Sequence, residues 1–498
     1  MTLGRNLLAG LANSIWSALI GFAVVPFYLK YLGIEAYGLI GFFMTLQVMF
    51  QLLDMGLASA ANRELARFKA TNDPASAGEL LHSLAVIYWS IAALIVLVVF
   101  ALAPVIAQKW LGGSSLPRDM LVNSIMLMGA VIAARWPIAL YQGALLGAQQ
   151  MIKFCVLNMS MVALSSGGAI LILASLSSTI EAFFCWQVMV GIVYALVIKR
   201  VAWTVLGSGA APIFSAQVLK KIWRYSAGMT LVTAFGLVFS QVDKIILSRA
   251  LSLENFGQYV LATVVVSSLY ILISPVFNVV FPRFSWLVAR DEKQSIERLY
   301  LQGTQLMACV LFPAAGFLGV HAEGLVLVWT GSQAVAKNAA VIIALLAAGS
   351  MLHGIMHFPY ALQLAYGKLK IAIWTYVVQL VIAVPMLVFF TDRWGAVGGA
   401  AAWLGSMSAY FALGVAVTHR TLLKAAVSTW LLKVIVVPVS ITGVYVVAFM
   451  TLGRQADIGL TWEIILGLIG AALTVAGCIA VSADARAMVW TRLRGVFF

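Results

Sequence analysis

Long apolar runs alternate with short polar connections along all 498 residues of the chain. A helix needs about 20 apolar residues to cross the ~30 Å hydrocarbon core of a bilayer. Runs of this length predict an all-α, polytopic membrane protein with about fourteen transmembrane helices. The predicted spans are Leu7–Leu29, Tyr37–Ala60, Leu81–Ala107, Leu121–Leu146, Phe154–Leu176, Ile180–Ile198, Met229–Leu247, Tyr259–Phe281, Thr304–Val320, Ala339–Ala365, Ile371–Phe390, Gly395–Val417, Val434–Leu452 and Trp462–Val481.

The repeat of one short motif divides this helical pattern into halves. Leu32–Gly38 (LGIEAYG) and Leu251–Gly257 (LSLENFG) are 219 residues apart, and the same offset carries Trp110 onto Trp329. Six spans in each half leave the two halves pointing the same way, related by a pseudo-twofold axis along the membrane normal. This parallel-repeat arrangement is typical of transporters in which one half rocks against the other around a central site.

The repeat leaves the last two spans without counterparts and predicts four segments. They are an N-terminal six-helix lobe over 1–206, a linker with an amphipathic helix over 207–226, a C-terminal six-helix lobe over 227–419, and an appended two-helix hairpin with a cytoplasmic tail over 420–498.

Composition agrees with the apolar pattern and excludes soluble enzymes and nucleic-acid binders. Hydrophobic residues make up 63% of the chain and charged residues only 10%, whereas soluble domains carry about 25% charged residues. All four cysteines fall inside apolar runs and are expected to be buried thiols. The sequence contains no phosphate-binding loop, zinc-protease motif, nucleophile elbow or metal-spaced Cys/His set. No enzymatic activity, bound metal or cofactor is therefore expected.

The net charge of +14 comes from basic residues that are unevenly distributed over the predicted loops. With fourteen spans, 22 of the 31 lysines and arginines fall on one side of the membrane and 7 on the other, while Arg135 and Lys244 lie within spans. Basic residues are retained on the cytoplasmic side, so we expect both termini there. The first span is too long for the apolar core of a signal peptide and is expected to be retained.

Polar side chains inside spans mark candidate sites, because an ionisable group in lipid is costly. Gln47, Gln51 and Asp54 share one predicted helical stripe in the second span, which either lines a cavity or joins neighbouring helices. Arg135 lies near mid-depth in the fourth span, directly before Trp136 and a proline that should kink the helix. We expect Arg135 to line a central cavity.

The second half of the chain offers a second set of ionisable groups. His353 and His357 map by the 219-residue offset onto positions 134 and 138, so both halves place basic or protonatable groups at one depth. Asp243 and Lys244 are adjacent in the seventh span and either serve the same cavity or pair with each other.

Several short motifs resemble those of one transporter family: Asn13 and Pro26 in the first span, the Leu32–Gly38 loop, Leu53–Leu57 followed by Arg63 and Glu64, and Asp243 and Lys244 leading to Phe256–Tyr259. With these motifs, essentially the whole chain resembles the Wzx-type polysaccharide flippases of the multidrug/oligosaccharidyl-lipid/polysaccharide exporter superfamily.

The resemblance implies two six-helix lobes around a central cavity in a multi-pass protein of the cell's inner (plasma) membrane. It also implies movement of an undecaprenyl-pyrophosphate-linked oligosaccharide, a repeat unit of a polysaccharide such as O-antigen of lipopolysaccharide, from the cytoplasmic to the periplasmic leaflet. A polysaccharide polymerase and a chain-length regulator are the partners that it implies. No defined set of functional residues carries over from the family.

The candidate residues suit such a cargo. Guanidinium makes bidentate contacts with phosphate, so Arg135 is expected to bind the pyrophosphate, with His353 and His357 as pH-tunable helpers. Moving two negative charges outward gains about 2 × 2.3 kcal/mol per 100 mV of inside-negative potential. Antiport of H⁺ or Na⁺ is the other source of energy, and Asp54 is the acidic candidate for coupling.

Four more residues have candidate roles in handling this cargo. Asn13 and Trp16 would line a path for the sugar or simply pack, whereas Arg63 and Arg283, at the cytoplasmic ends of the second and eighth spans, would form a gate or admit the headgroup.

Two other transporters fit the same predicted architecture: a multidrug cation antiporter, which would need acidic groups for its cargo, and a lipid II flippase, which is chemically closer. A membrane glycosyltransferase or polymerase is disfavoured because the predicted non-cytoplasmic loops, the longest being 108–120 and 321–338, are too short for a catalytic domain.

Overall fold

A computed structural model describes residues 2–54, 56–71, 73–111, 113–206, 214–215, 234, 236–423, 427–452 and 459–487. All regular elements in these ranges are helical, and no strand occurs there. The helices of the first part are α1 (Thr2–Ala23), α2 (Val25–Phe50), α3 (Leu57–Ala70), α4 (Pro74–Lys109), α5 (Arg118–Arg135), α6 (Ile138–Gly147), α7 (Met151–Ser175) and α8 (Ile180–Leu206).

The second part continues the helical pattern to the end of the described residues. Its helices are α9 (236–250), α10 (Leu253–Ala289), α11 (Lys293–Val320), α12 (Ala322–Thr330), α13 (Gln333–Ile355), α14 (His357–Ala365), α15 (Leu369–Thr418), α16 (Val427–Leu431), α17 (Val437–Leu452) and α18 (Leu460–Val481).

The predicted all-helical, polytopic membrane architecture is confirmed. Eleven helices among the described residues are long and apolar enough to cross a membrane, and a shorter apolar helix covers Leu8–Ala23. The 50-residue helix α15 covers two predicted spans, and its backbone leaves the helical conformation at Gly395 (φ 56°, ψ −134°), where the second of them begins. The count of fourteen spans stays a prediction.

The chain forms two compact units. One contains residues 1–241 and 252–254, and the other contains residues 242–251 and 255–498. The predicted bounds of 1–206, 227–419 and 420–498 stay predictions, and the linker predicted over 207–226 lies outside the described residues except for 214 and 215.

A helix break recurs in both units at the repeat offset. In the first unit α5 ends at Arg135 and α6 begins at Ile138, with Pro137 directly before α6. In the second unit α13 ends at Ile355 and α14 begins at His357, which is 219 residues after Ile138. The predicted kink at the Trp136–Pro137 step is therefore present, because proline cannot donate the backbone hydrogen bond that would continue α5.

A second break occurs in the first unit alone. The offset carries residues 34–70 onto α10, which is continuous from Leu253 to Ala289. In the first unit the corresponding segment ends α2 at Phe50, continues as a 3₁₀ turn over Gln51–Asp54, and restarts as α3 after Gly56. Gly56 has a left-handed backbone (φ 72°), which glycine adopts without a steric penalty. The single helix predicted over Tyr37–Ala60 is therefore wrong.

The C-terminal helices pack on α11 within the second unit. Gln305 of α11 donates to the carbonyl of Lys433 (2.7 Å) and accepts from the backbone N–H of Ala485 (2.8 Å). The indole of Trp430 donates to the hydroxyl of Thr304 at 3.2 Å. These hydrogen bonds satisfy buried polar groups of α11 and of the C-terminal segment. The hairpin predicted as an appendage is therefore docked to this unit through specific hydrogen bonds.

Candidate functional site

A polar cavity of about 360 Å³ lies inside the first unit. Helices α2, α5, α6, α7 and α8 and the 3₁₀ turn that follows α2 supply its wall, so residues far apart in sequence meet there. The lining residues are Gln47, Gln51, Arg135, Ile138, Ala139, Gln142, Asn158, Met161, Val162, Ser165, Ser166, Val190, Gly191 and Tyr194.

Arg135 is the single charged residue of this lining. Its Nη2 donates to Oε1 of Gln187 at 2.5 Å, and the same oxygen accepts a hydrogen bond from Ser165 Oγ at 2.6 Å. The guanidinium also lies 5.9 Å from the ring centre of Phe43, within cation–π range. No carboxylate of the described residues lies within 4 Å of its nitrogens. A guanidinium has five N–H donors, so Arg135 keeps donors for a ligand in the cavity.

Gly191 allows α8 to pack closely against the segment that carries Arg135. A Cβ at this position would lie 3.2 Å from Cβ of Ala134 and 3.4 Å from Cγ of Arg135. The contact with Arg135 is ordinary, whereas the contact with Ala134 is tight, so a larger residue here would require the residue directly before Arg135 to shift slightly. Gln187 lies one helical turn before Gly191 on α8, which places its amide beside the guanidinium.

Asn13 and Trp16 of α1 both form hydrogen bonds to α7, one of the helices that line the cavity. The amide of Asn158, a lining residue, donates to Oδ1 of Asn13 at 2.8 Å and accepts from the hydroxyl of Tyr194 at 3.3 Å. The indole of Trp16 donates to the backbone carbonyl of Met159 at 3.1 Å. Asn13 therefore orients a cavity residue, whereas Trp16 joins α1 to α7.

The residues predicted to share one stripe in the second span are separated by the break after α2. Gln47 and Gln51 line the cavity. The carboxylate of Asp54 accepts hydrogen bonds from the hydroxyl of Tyr88 on α4 and from the backbone N–H of Ala58 at 3.4 Å. Asp54 therefore joins the start of α3 to α4 and is not among the lining residues.

The two histidines of the second unit lie together in a group of aromatic rings. Nδ1 of His353 is hydrogen-bonded to the hydroxyl of Tyr270 at 2.9 Å, and Nδ1 of His357 lies 3.1 Å from the carbonyl oxygen of His353. The two imidazole centres are 5.1 Å apart, and the ring of Phe277 lies 6.0 Å from His357. The side chains of the two histidines therefore contact each other, the ring of Phe277 and the phenol hydroxyl of Tyr270.

Asp243 and Lys244 form a pair within the second unit. Nζ of Lys244 lies 3.6 Å from Oδ1 of Asp243, and Tyr259 donates to Oδ2 of Asp243 at 2.8 Å. Asp243 is only 3% exposed. This geometry favours mutual pairing, one of the two alternatives that the sequence left open.

Arg63 and Arg283 are both exposed, on α3 and α10 respectively. The guanidinium of Arg283 lies 4.4 Å from the ring centre of Trp286, and that of Arg290 lies 4.5 Å from the same ring. The roles of Arg63 and Arg283 as a gate or as groups that admit the headgroup stay predictions. No group of three or more His, Cys, Asp or Glu residues that could hold a metal occurs in the described part of the chain.

Sequence reasoning missed six polar residues of the cavity and its wall, among them Gln142 and Ser166, although a helical pattern marks the other four. Asn158 and Ser165 are seven residues apart on α7, and Gln187 and Tyr194 are seven apart on α8. Seven residues are two helical turns, so each pair lies on one face of its helix. Polar pairs at this spacing in otherwise apolar spans would have indicated both walls.

Two solved structures share the fold over most of their length. "Lipid II flippase MurJ, inward closed conformation" has a TM-score of 0.71 and 13% identity, with 95% of this chain and 98% of that chain covered. An inward-facing multidrug resistance MATE family transporter of the MOP superfamily has a TM-score of 0.67 and 13% identity, with 82% and 96% covered. At these identities the likeness concerns the fold alone.

Sequence comparison identifies the family. A Shigella flexneri protein named "Putative O-antigen transporter" is 25% identical over 191 residues, which are 38% of this chain and 44% of that protein, so the match spans under half of this curated relative. A family model described as polysaccharide biosynthesis protein matches residues 3–288. The resemblance to the polysaccharide exporters is thereby confirmed, and the fold and family together indicate a membrane transporter or flippase rather than an enzyme. Because the family model covers more than half of the chain, this protein belongs to the polysaccharide biosynthesis protein family.

Proposed function

We propose that this protein is a flippase that moves an undecaprenyl-pyrophosphate-linked oligosaccharide from the cytoplasmic to the periplasmic leaflet of the inner membrane by alternating access. One observation carries the proposal: Arg135 faces a polar cavity inside a membrane-spanning unit and has no carboxylate partner among the described residues. The family of the chain and the name of its Shigella flexneri relative support the same class of cargo.

The chemistry of the cavity suits a phosphate group. A cation held among membrane helices is costly unless an anion or strong acceptors compensate it. In this protein one amide oxygen accepts from Arg135, which leaves most of the charge for a ligand. The remaining polar lining consists of amides and hydroxyls, which can donate to phosphate oxygens without adding negative charge. A pyrophosphate diester would satisfy the guanidinium through bidentate hydrogen bonds.

A multidrug cation antiporter is less well supported by these side chains. The two intramembrane carboxylates that such a cargo would use are already engaged: Asp54 by Tyr88, and Asp243 by Tyr259 and Lys244. A cationic drug in the cavity would also meet the like charge of Arg135. A lipid II flippase would use the same headgroup chemistry, so Arg135 does not separate it from the proposed cargo, and only transport assays with both lipids do.

The remaining parts of the proposal concern orientation, partners and energy. Both termini lie in the cytoplasm, and a polysaccharide polymerase and a chain-length regulator take over the product. His353 and His357, which the sequence predicted as helpers at the headgroup, lie among aromatic rings, so in this proposal Arg135 alone binds the headgroup and the histidines are left for the sugar part of the cargo. The membrane potential favours outward movement of the anion, and H⁺ or Na⁺ antiport through Asp54 is the proposed coupling.

The first test measures flipping in proteoliposomes that contain a fluorescent polyprenyl-pyrophosphate oligosaccharide. Arg135→Ala is expected to lower the initial rate by about 10- to 100-fold, because hydrogen bonds to charged groups contribute about 1.5–3 kcal/mol and each 1.4 kcal/mol is tenfold. Arg135→Lys should recover only part of the loss, since lysine keeps the charge without the planar donors.

Arg118→Ala is the matched control, because Arg118 is an exposed arginine at the opposite end of the same helix α5. Its rate should equal that of the unchanged protein. Full activity of Arg135→Ala would overturn the assignment of Arg135. Failure of the unchanged protein to flip the probe, with efflux of a lipophilic cation under an ion gradient, would replace the flippase by a drug antiporter. Flipping of lipid II in preference to the oligosaccharide probe would identify the other cargo.

A further inference from the structure

We infer that the second unit binds the sugar part of the cargo, a neutral pyranose oligosaccharide, on a group of partly exposed rings. This inference rests on the proposed function for the identity of the cargo. We call the group the ring cluster. It consists of Tyr270, Phe277, His353, His357, Tyr360 and Tyr376.

The rings of this cluster form one connected series. Phe277 is stacked on Tyr360 with ring centres 5.8 Å apart and planes at 25°, and the centre of Tyr376 lies 6.2 Å from that of Tyr360. His357 connects Phe277 to His353, with centres 6.0 and 5.1 Å apart. All six side chains are half-buried. Their neighbours therefore hold them in place while part of each ring remains accessible.

The internal repeat places two of the six residues of the ring cluster at positions that line the cavity in the first unit. The 219-residue offset carries Gln51 onto Tyr270 and Ile138 onto His357, and both Gln51 and Ile138 are lining residues. The helix break that presents Ile138 recurs at His357. At these two positions the second unit carries a phenol and an imidazole where the cavity of the first unit has an amide and an aliphatic side chain.

The cluster has the chemistry that a neutral sugar requires. It contains three phenol hydroxyls and two imidazoles and no carboxylate, lysine or arginine side chain of its own. The carboxylate of Asp243, which acts on Tyr270, is already engaged by Lys244 and Tyr259. Aromatic faces are electron-rich, and the C–H groups on the face of a pyranose carry partial positive charge. Sugar hydroxyls can exchange hydrogen bonds with phenols and imidazoles. The arginine cavity and the ring cluster therefore divide the cargo by chemistry, anion and sugar.

The inference is tested by binding two fluorescent lipids to the detergent-solubilised full chain. One probe is a polyprenyl pyrophosphate carrying a neutral trisaccharide, and the other is the same polyprenyl pyrophosphate without sugar. The ratio of their dissociation constants isolates the sugar contribution. We expect the unchanged protein to bind the sugar-bearing probe about tenfold more tightly. Tyr360→Leu, and separately His357→Leu, should bring the ratio close to one, while Arg135→Ala should weaken both probes and leave the ratio unchanged.

Tyr366→Leu is the matched control, because Tyr366 directly follows the same helix α14 and lies outside the cluster; it should keep the tenfold ratio. A ratio near one in the unchanged protein, or a ratio unaffected by both cluster variants, would overturn the inference. Equal weakening of both probes in folded cluster variants, as judged by thermal unfolding, would also do so and would indicate a general lipid or drug surface. If flipping fails but the ratio behaves as expected, the proposed function falls and the sugar site stands.

Discussion

The contact between Arg135 and Gln187 determines the charge of the first unit's cavity. Gln187 is 4% exposed, and its side-chain oxygen accepts from both Arg135 and Ser165. A neutral acceptor orients the guanidinium without cancelling its charge. A carboxylate at the same place would orient it equally well and neutralise it. The identity of residue 187 therefore decides whether the cavity attracts an anion.

This argument predicts that Gln187→Glu resembles Arg135→Ala in function although it removes no atom of the arginine. The new carboxylate would lie about 2.5 Å from the guanidinium nitrogen, and we expect flipping of the pyrophosphate probe to fall about tenfold or more. Gln187→Met is the neutral control of similar shape. It removes the acceptor that orients the guanidinium but adds no opposing charge, so its rate should fall less than that of the Glu variant. Initial rates in proteoliposomes check both variants, and equal rates for the Glu and Met variants would contradict a role for the cavity's charge.

Arg135 could be identified from the sequence because a charged residue inside an apolar run can be recognised without any knowledge of tertiary contacts. The sequence did not identify Gln187, Asn158 or Ser165, because neutral polar residues are tolerated in spans wherever helices pack. Their contribution depends on which faces of α7 and α8 meet α5, and that is a tertiary fact. Likewise, the Asp243–Lys244 pair could be found from the sequence, but its binding to Tyr259 could not.

At the scale of helices, the break between α2 and α3 gives the first unit a polar joint that the second unit lacks. Asp54 ends the 3₁₀ turn, accepts the N–H of Ala58 in the first turn of α3, and receives the hydroxyl of Tyr88 from α4. A carboxylate at a helix N-terminus is favoured by the orphan N–H groups and the helix dipole. Protonation of Asp54 would weaken both bonds together, which connects the proposed ion coupling to this joint.

We therefore predict that Asp54→Asn uncouples flipping from a pH gradient. In proteoliposomes, a gradient of about two pH units should change the initial rate of the unchanged protein several-fold, and the Asn variant should keep a basal rate that no longer responds. Asp73→Asn is the control. Asp73 also caps a helix, accepting from Ser76 N at 3.1 Å, and the hydrogen bonds from Ser76 lower the pKa of its carboxyl. A gradient response that persists in Asp54→Asn would contradict coupling through this residue.

The two breaks in the first unit differ in how visible they are in the sequence. Pro137 marks its break, because proline lacks the N–H that would continue α5, although α4, α11 and α15 continue through Pro104, Pro313 and Pro385. The break at residues 51–56 lies in the segment Gln-Leu-Leu-Asp-Met-Gly-Leu, which continues the apolar run. Hydropathy indicates burial and carries no information on backbone angles. The left-handed conformation of Gly56 could therefore not be predicted from the apolar pattern. The repeat would not have revealed it either, because α10 is continuous at the corresponding positions.

At the scale of the whole molecule, duplication has kept the helical framework while the chemistry has diverged. The break before His357 repeats the break before Ile138 at the offset read from short motifs, so periodicity and repeats were sufficient to predict the helical class and much of the internal symmetry. Several equivalent positions differ in kind: Arg135 corresponds to Gly354, Gln51 to Tyr270 and Ile138 to His357. A repeat preserves backbone geometry, and each lobe's ligand must then be inferred from its own residues.

The orientation of the whole chain is a prediction from its charge distribution and can be tested directly. With 22 basic residues on one predicted side and 7 on the other, retention of basic loops places the connection between α3 and α4 in the cytoplasm and that between α4 and α5 outside. Thr71 and Gly113 are exposed residues of these two connections. In intact cells a membrane-impermeant maleimide should therefore label Gly113→Cys, whereas Thr71→Cys should react only after permeabilisation.

The native cysteines provide a low background for this experiment. Cys155, Cys309 and Cys478 are buried, and Cys185 is exposed on the apolar helix α8, where the thiolate that attacks a maleimide is disfavoured in lipid. The reverse labelling pattern would place the basic loops outside. Arg63 and Arg283 could then no longer receive the headgroup from the cytoplasmic leaflet, and the proposed direction of transport would fail even if Arg135 still bound the pyrophosphate.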